Sequence, residues 1–471
     1  MSVIAGFMVP HPPMIVPAVG RGSEQIVTET TKSYEKVADM IAALKPETIV
    51  LSSPHSVMYA DYFHISPGNG AAGSFSNFGA GRERMEVSYD SDFVSHLCGL
   101  ADEMDLQAGT LGQKDRELDH GTMVPLYFIL QKYTDFKLVR IGLSGLPMEE
   151  HYRLGMAISK TAEYLGRKTV YIASGDLSHK LKDDGPYGFD PAGPEYDDKI
   201  MDVMGSADFG RLFSFDEHFL EKAAECGHRS FVMMAGAFDR KKVEVQRLSH
   251  QDVTGVGYGI CTFEVTGDDE SRAFLDIREN EEKSRRDEAK AGEDAYVRLA
   301  RLSLESYIKT GKTVKTKAAL EDIAADEKDS DALLNKRAGA FVSLHKQGQL
   351  RGCIGTILPV RSSLAQEIIE NAVSAAVNDP RFLPITEDEL DLIEYSVDVL
   401  GNPEPISSEN ELDVKRYGVI VTKGSKRGLL LPNLDGVDTI EEQLSIAKRK
   451  AGLSANEKGC SLERFEVVRH Y

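Results

Sequence analysis

Three histidines stand in the same relation to short apolar runs. His11 lies in VPHPP just after residues 3–9, His55 in SSPHS just after 48–52, and His179 in GDLSH just after 169–174. Imidazole near neutral pH can ligate a metal or carry a proton, and three such groups beyond three strand-like runs suit one shared site. A single histidine there would more often be a loop residue or a satisfied core group; the repetition shifts the balance. His120, in LDHGTMVPL before a helix-like stretch, is a fourth candidate. Two histidines and one carboxylate on one face of an ion, with open positions opposite, form the facial arrangement of non-haem Fe(II) oxygenases. The third ligand is sought in AAECGHRSFVMMAGAF, where Glu225 and Cys226 are adjacent and His228 is a weaker option. The residues alone leave that choice open, since Glu225 equally suits the first turn of a helix. Pro10, Pro12, Pro13 and Pro54 restrict the backbone beside His11 and His55, which lowers the ordering cost of a metal site but also simply ends strands.

The elements that must position these groups alternate. Runs at 3–9, 48–52, 136–143 and 169–174 read as strands, whereas 23–44, 93–104 and 151–165 have helical composition. This predicts an α/β domain with a mostly parallel central sheet flanked by helices. Ligands of such sheets bind beyond the carboxyl ends of the strands, where His11, His55 and His179 fall.

With 471 residues the chain is too long for one ordinary core. No apolar run approaches a membrane span. The N-terminus has no basic segment and no long apolar stretch, so no secretory signal is expected. A net charge of −20 argues against nucleic acid or an anionic membrane as the main partner. The cysteines, Cys98, Cys226, Cys261, Cys353 and Cys460, are scattered without a CxxC pair. They exclude a disulfide scaffold and fit a reducing cytoplasm. Ten of the twelve histidines precede residue 251, which places any metal or acid–base chemistry in the N-terminal part.

A strand over 258–265 closes that part. Residues 266–294 are dense in charge and poor in apolar side chains, a linker that can hold a solvated helix. The expected division is a domain over 1–265, the linker, and a smaller α+β domain over 295–471. In the latter, Val297, Ala300, Leu304, Tyr307 and Ile308 mark one helical stripe. Residues 340–356 read as a hairpin with a KQGQ turn, and Ser363 with Gln366 has capping-box spacing before a helix. Strands are expected at 392–400, 417–421 and 428–431, and a last helix at 439–451. Cys353, beside Arg351 and between two glycines, could be an activated thiol. The favoured reading is a small buried packing residue. Arg351, Asn378, Asp379 and Arg381 either line a polar cleft or pair locally.

The motifs VPHPP, SSPHS, LDHGTMVPL, GDLSH and ECGHRSFVMMAGA, in this order, resemble the class III extradiol ring-cleavage dioxygenase superfamily, LigB-like, and its Memo branch. The resemblance implies Fe(II) on His11, His55 and Glu225, with Zn or Cu as alternatives. It further implies His179 as the acid–base residue, a second-sphere role for His120, and a small aromatic substrate with O2. Two departures stand out. Cys226 matches the Memo pattern, in which Cys226 and His179 would join His11 and His55 as ligands, and Ser53 stands where some ring-cleaving members carry an amide. LRGCIGT, NAVSAAVNDPRF and GLLLP resemble the AMME-chromosomal-region family over residues 290–471. The combination resembles the AmmeMemoRadiSam arrangement, which implies a radical S-adenosylmethionine protein as partner. On that alternative the chain is a metal-binding accessory protein without turnover of its own.

Overall fold

The computed structural model describes residues 3–112, 117–323, 326–346, 348–434 and 436–471. The chain divides into two compact units, residues 1–280 and 281–471.

The first unit is built on a six-stranded sheet. Its strands are β1 (Val3–Val9), β2 (Thr48–Ser53), β3 (Lys137–Gly142), β4 (Thr169–Ser174), β5 (Lys241–Gln251) and β6 (Tyr258–Asp268), in the order β3-β2-β4-β1-β6-β5. The first four run parallel, while β6 and β5 return antiparallel on one edge. Nearly every residue of the parallel strands is buried, because both faces are covered. Alternate side chains go to opposite layers. Met8, Val50, Val139 and Tyr171 pack with one set of helices, and Phe7, Ile49, Leu138 and Ile172 with another. The first layer holds α2 (Ser91–Glu103), α4 (Met148–Tyr164), α5 (Ala192–Ser206) and α6 (His228–Ala237); the second holds α1 (Thr28–Leu44) and α3 (His120–Ile129). This is the α/β architecture that the alternation predicts. Residues 23–27 form a 3-10 turn ahead of α1 rather than its first turn. The β5 strand, KKVEVQRLSHQ, escapes a reading based on apolar runs, since its charged side chains alternate at an exposed edge.

Residues 266–294 contain the end of β6 and α7 (Phe274–Gly292), a helix in which only Leu275 is fully buried.

The second unit is α+β. Helices α8 (Ala295–Thr310) and α9 (Leu364–Val377) pack on a curled antiparallel sheet of β7 (Ala340–Lys346), β8 (Gln349–Gly355), β9 (Ile393–Leu400), β10 (Tyr417–Lys423), β11 (Lys426–Leu430) and β12 (Ser461–His470). The order is β8-β7-β9-β12-β10-β11, with the short strand Glu404–Ile406 also paired to β12. The central β12 has too few apolar positions to announce itself in SLERFEVVRH; it forms because strands on both sides satisfy its backbone. A smaller core gathers around α10 (Ile440–Lys450) with β10 and β11. Ser363 caps α9, its Oγ accepting from Gln366 N at 3.3 Å. The Gln366 side chain turns to Ser362 and Glu370 instead, so half of the predicted capping box forms. Gln347 of the KQGQ turn lies outside the described residues. Among the described residues no helix is long and apolar enough to cross a membrane.

Candidate metal centre

The parallel strands deliver their carboxyl ends to one rim, and the histidines follow from there. His11 Nε2 lies 3.0 Å from His55 Nε2 and 3.6 Å from Cys226 Sγ. Among the described residues, His11, His55 and Cys226 form a group whose ligand atoms all lie within 4.8 Å of one another. His11 is buried, Cys226 half-buried and His55 exposed, so the cluster opens to solvent on one side.

Backbone and second-layer contacts fix each member. The Ser174 hydroxyl donates to the Gly121 carbonyl at 2.6 Å, so the 3.0 Å contact between Ser174 Oγ and His11 Nδ1 requires that nitrogen to be the donor. The lone pair of His11 is thereby placed on Nε2, toward His55 and Cys226. Asp176 ties the ends of two strands to the third donor. Its carboxylate accepts the His11 backbone N–H at 2.7 Å, and its own N–H donates to Cys226 Sγ at 3.3 Å. On the His55 side, Ser53 Oγ accepts the His55 N–H at 3.2 Å and donates to Asp119 at 2.6 Å. Asp119 caps α3, accepting from Thr122 N at 2.9 Å, and pairs with buried Arg140 at 2.6 Å.

Glycines permit the close approach. A Cβ on Gly175 would fall 2.1 Å from Gly227 Cα, and one on Gly121 would fall 2.4 Å from Ser53 Oγ. The segment after β4 and the turn carrying Cys226 therefore touch backbone to backbone.

Burial, reinforced by neighbouring His55, pushes the basicity of His11 down to about 3, which keeps it the neutral imidazole that a metal needs. His55 and His120 are lowered for the same leading reason. Burial and the carboxylates of Asp176 and Glu225 push the Cys226 thiol up, so its thiolate requires a compensating cation.

The other sequence candidates fall around this group. Glu225 does not point its carboxylate into it: Oε2 accepts the His228 N–H at 2.6 Å at the start of α6, the helix-terminus role considered above. Burial raises that carboxyl to about 7. His120 is the first residue of α3, and its ring centroid lies 4.0 Å from that of His55 and 5.5 Å from that of His11. His179 Nδ1 donates to the Ala224 carbonyl at 2.5 Å, leaving its Nε2 as the acceptor. His228 is buried in the core, with Nε2 3.0 Å from the Leu212 carbonyl and Nδ1 3.4 Å from the Tyr196 hydroxyl. Sequence reasoning passed over Asp176, Ser174, Asp119 and Arg140. The signal for Asp176 was present inside GDLSH, a carboxylate directly beyond a buried strand.

The donor set fits a metal. Two imidazole nitrogens at about 2.0–2.1 Å from one tetrahedral ion stand about 3.3 Å apart, and a thiolate at about 2.3 Å stands about 3.6 Å from each. The separations of 3.0 and 3.6 Å are of that size. Imidazoles with a thiolate suit Zn, Cu or Fe.

In the second unit, Arg351 forms a two-pronged pair with Glu389, at 3.1 and 2.9 Å, and Arg381 pairs with Asp379 at 2.7 Å. Asp379 also accepts the Cys353 N–H at 2.9 Å. Cys353 is partly exposed rather than the buried packing residue expected, because the face of β8 that carries it borders a cavity.

Residues 5–261 match the family described as the catalytic LigB subunit of aromatic ring-opening dioxygenase, and residues 297–470 match AMMECR1. Protein CA_C1420 of Clostridium acetobutylicum is 42% identical over 100% of this chain and 99% of its own length. A Thermotoga maritima protein is 50% identical over 38% of this chain and 98% of its own length. A crystal structure of protein PH0010 from Pyrococcus horikoshii aligns with a TM-score of 0.33 and 34% identity, over 37% of this chain and 88% of that one. The two family matches over residues 5–261 and 297–470, with the relative similar over its whole length, show the family: the chain belongs to the LigB family through its N-terminal domain, fused to an AMMECR1 domain.

Proposed function

We propose that the N-terminal unit is a metal-dependent oxidoreductase acting with O2 on a small aromatic substrate, its ion held by His11, His55 and Cys226. The convergence of His11 Nε2, His55 Nε2 and Cys226 Sγ carries this reading. When bound, a redox-active ion would supply the site for O2 and for a chelating substrate oxygen. The chain's own residues do the rest. His179, with its proton fixed on Nδ1, presents Nε2 as a proton acceptor. His120 lies against His55 on the other side. The Phe78 ring lies steeply inclined to that of His120, with centroids 5.4 Å apart, and the Tyr187 ring to that of His179 at 5.1 Å, so an aromatic ring flanks each of these histidines and suits a planar substrate.

A second reading rests on one observation, the presence of Cys226 rather than Glu225 among the clustered donors. On that reading the domain is a Memo-like metal-binding component serving a radical S-adenosylmethionine enzyme.

Protein purified without oxygen should carry about one ion per chain by elemental analysis. Cys226→Ser should strip it while Glu225→Gln retains it; the reverse would return the third ligand to Glu225. Catechol-dependent O2 uptake that disappears in His11→Ala would support the oxidoreductase. A loaded centre that consumes no O2 across a catechol panel would favour the accessory role.

A further inference from the structure

The second unit holds a solvent-open cavity of about 1130 Å³ that the metal centre does not use and that is lined wholly by residues of 281–471. Small-molecule sites commonly occupy some 300–1,000 Å³, so there is room for a ligand of ordinary size with water. One wall is apolar. Phe341, Ile357, Leu429 and Leu431 line it and pack on the small core of Leu400, Ile420 and Phe465 without being buried by it.

The lining is also rich in charge. Eight basic side chains against five acidic ones line the cavity, in a chain whose net charge is −20. Four of these eight cations are already neutralised: Arg301 by Glu293, Arg469 by Asp398, Arg427 by Glu463 and Arg381 by Asp379. Among the described residues, Lys283, Arg286 and Lys290, on the charged helix α7, and Lys450, at the end of α10, are not. Lys450 has no hydrogen-bond or ion-pair partner among those residues, and it lies within electrostatic reach of Arg381 and Cys353. Its position is built in. A Cβ on Gly428 would fall 2.4 Å from Ala447 O and from Ala451 N, so only glycine lets the end of α10 settle on β11 and bring Lys450 to the cavity. An ammonium on the cavity lining near a guanidinium, with no carboxylate of its own, offers a seat to an anion from outside.

We propose that this cavity is a binding site for a small amphipathic organic anion. Its carboxylate, phosphate or sulfonate rests on Lys450 beside Arg381, and its apolar body lies along Phe341, Leu429 and Leu431.

The test uses the full chain and the fluorescent probe 8-anilinonaphthalene-1-sulfonate, an aromatic sulfonate of this class. The parent protein should bind it with saturable emission, and Lys450→Arg should bind within about twofold of the parent. Lys450→Glu should weaken binding at least tenfold. Lys448→Glu makes the same charge change on the same helix away from the cavity lining and should leave affinity within twofold. Both lysines are solvent-accessible, and circular dichroism of each variant confirms folding. Equal affinity of Lys450→Glu and Lys448→Glu would overturn the proposal, as would the absence of saturable binding to the parent.

Discussion

His11 and Ser174 meet across two neighbouring parallel strands, with Nδ1 and Oγ 3.0 Å apart, and the serine hydrogen is committed to the Gly121 carbonyl at 2.6 Å. That arrangement decides which nitrogen of His11 is free. Removing the hydroxyl should let the ring change tautomer and orientation while the strand stays packed. Ser174→Ala is therefore expected to lower metal affinity about 10–100-fold in chelator competition, with little change in thermal midpoint. Unchanged affinity would mean that Ser174 does not orient the ligand.

Acid should weaken the N-terminal unit through Asp119. Burial alone would raise its carboxyl, but Arg140 and the hydroxyls of Ser53 and Thr122 hold it down to about 2, against an ordinary value of 3.8. Because the folded value is the lower one, this stabilisation is complete above about pH 5 and is lost as pH falls through 4 toward 2. It amounts to about 2 kcal/mol. Asp119→Asn should cost about 3 kcal/mol or more at pH 7, since Arg140 is left buried beside a neutral group. Urea melts of parent and variant at pH 7 and pH 2.5 should converge in acid; parallel curves would show that Asp119 is not the group responsible.

The contact between Gly175 and Gly227 should tolerate no side chain. A Cβ at 2.1 Å from a backbone carbon can be relieved only by moving the chain, which separates Asp176 from Cys226. Gly175→Ala is expected to cost about 1–3 kcal/mol and to reduce bound metal. A variant with full metal occupancy and unchanged stability would show that the two segments can part without harm to the site.

Cys353 should be a slow nucleophile despite its accessibility. Burial pushes its thiol up, with a hydrogen bond from Ser343 Oγ at 3.2 Å and nearby Arg381 opposing only in part. Alkylation by iodoacetamide, followed on the Cys353 peptide by mass spectrometry, should run below the rate of free cysteine at pH 7 and climb as pH rises past 9. Rapid modification at pH 7 would restore the activated-thiol reading.

How far the sequence reached follows from what each signal depends on. Buried parallel strands must be apolar almost throughout, so the runs at 3–9, 48–52, 136–143 and 169–174 could be read in order, and with them the rim that carries His11, His55 and His179. Edge strand β5 and central strand β12 could not be read this way, because charged side chains interrupt both, and the strands that satisfy the backbone of β12 lie far back along the chain.

The sequence by itself determined the α/β order, the two-domain division by family, and a metal-competent set containing both Glu225 and Cys226. Only the tertiary structure shows which way each neighbour faces. The start of α6 takes the Glu225 carboxylate for the His228 N–H, while the glycine contact after β4 presses the Cys226 turn against Asp176 and His11. Adjacent residues on an irregular turn face different ways, and which one meets the rim depends on a backbone packing distance that one-dimensional spacing does not encode.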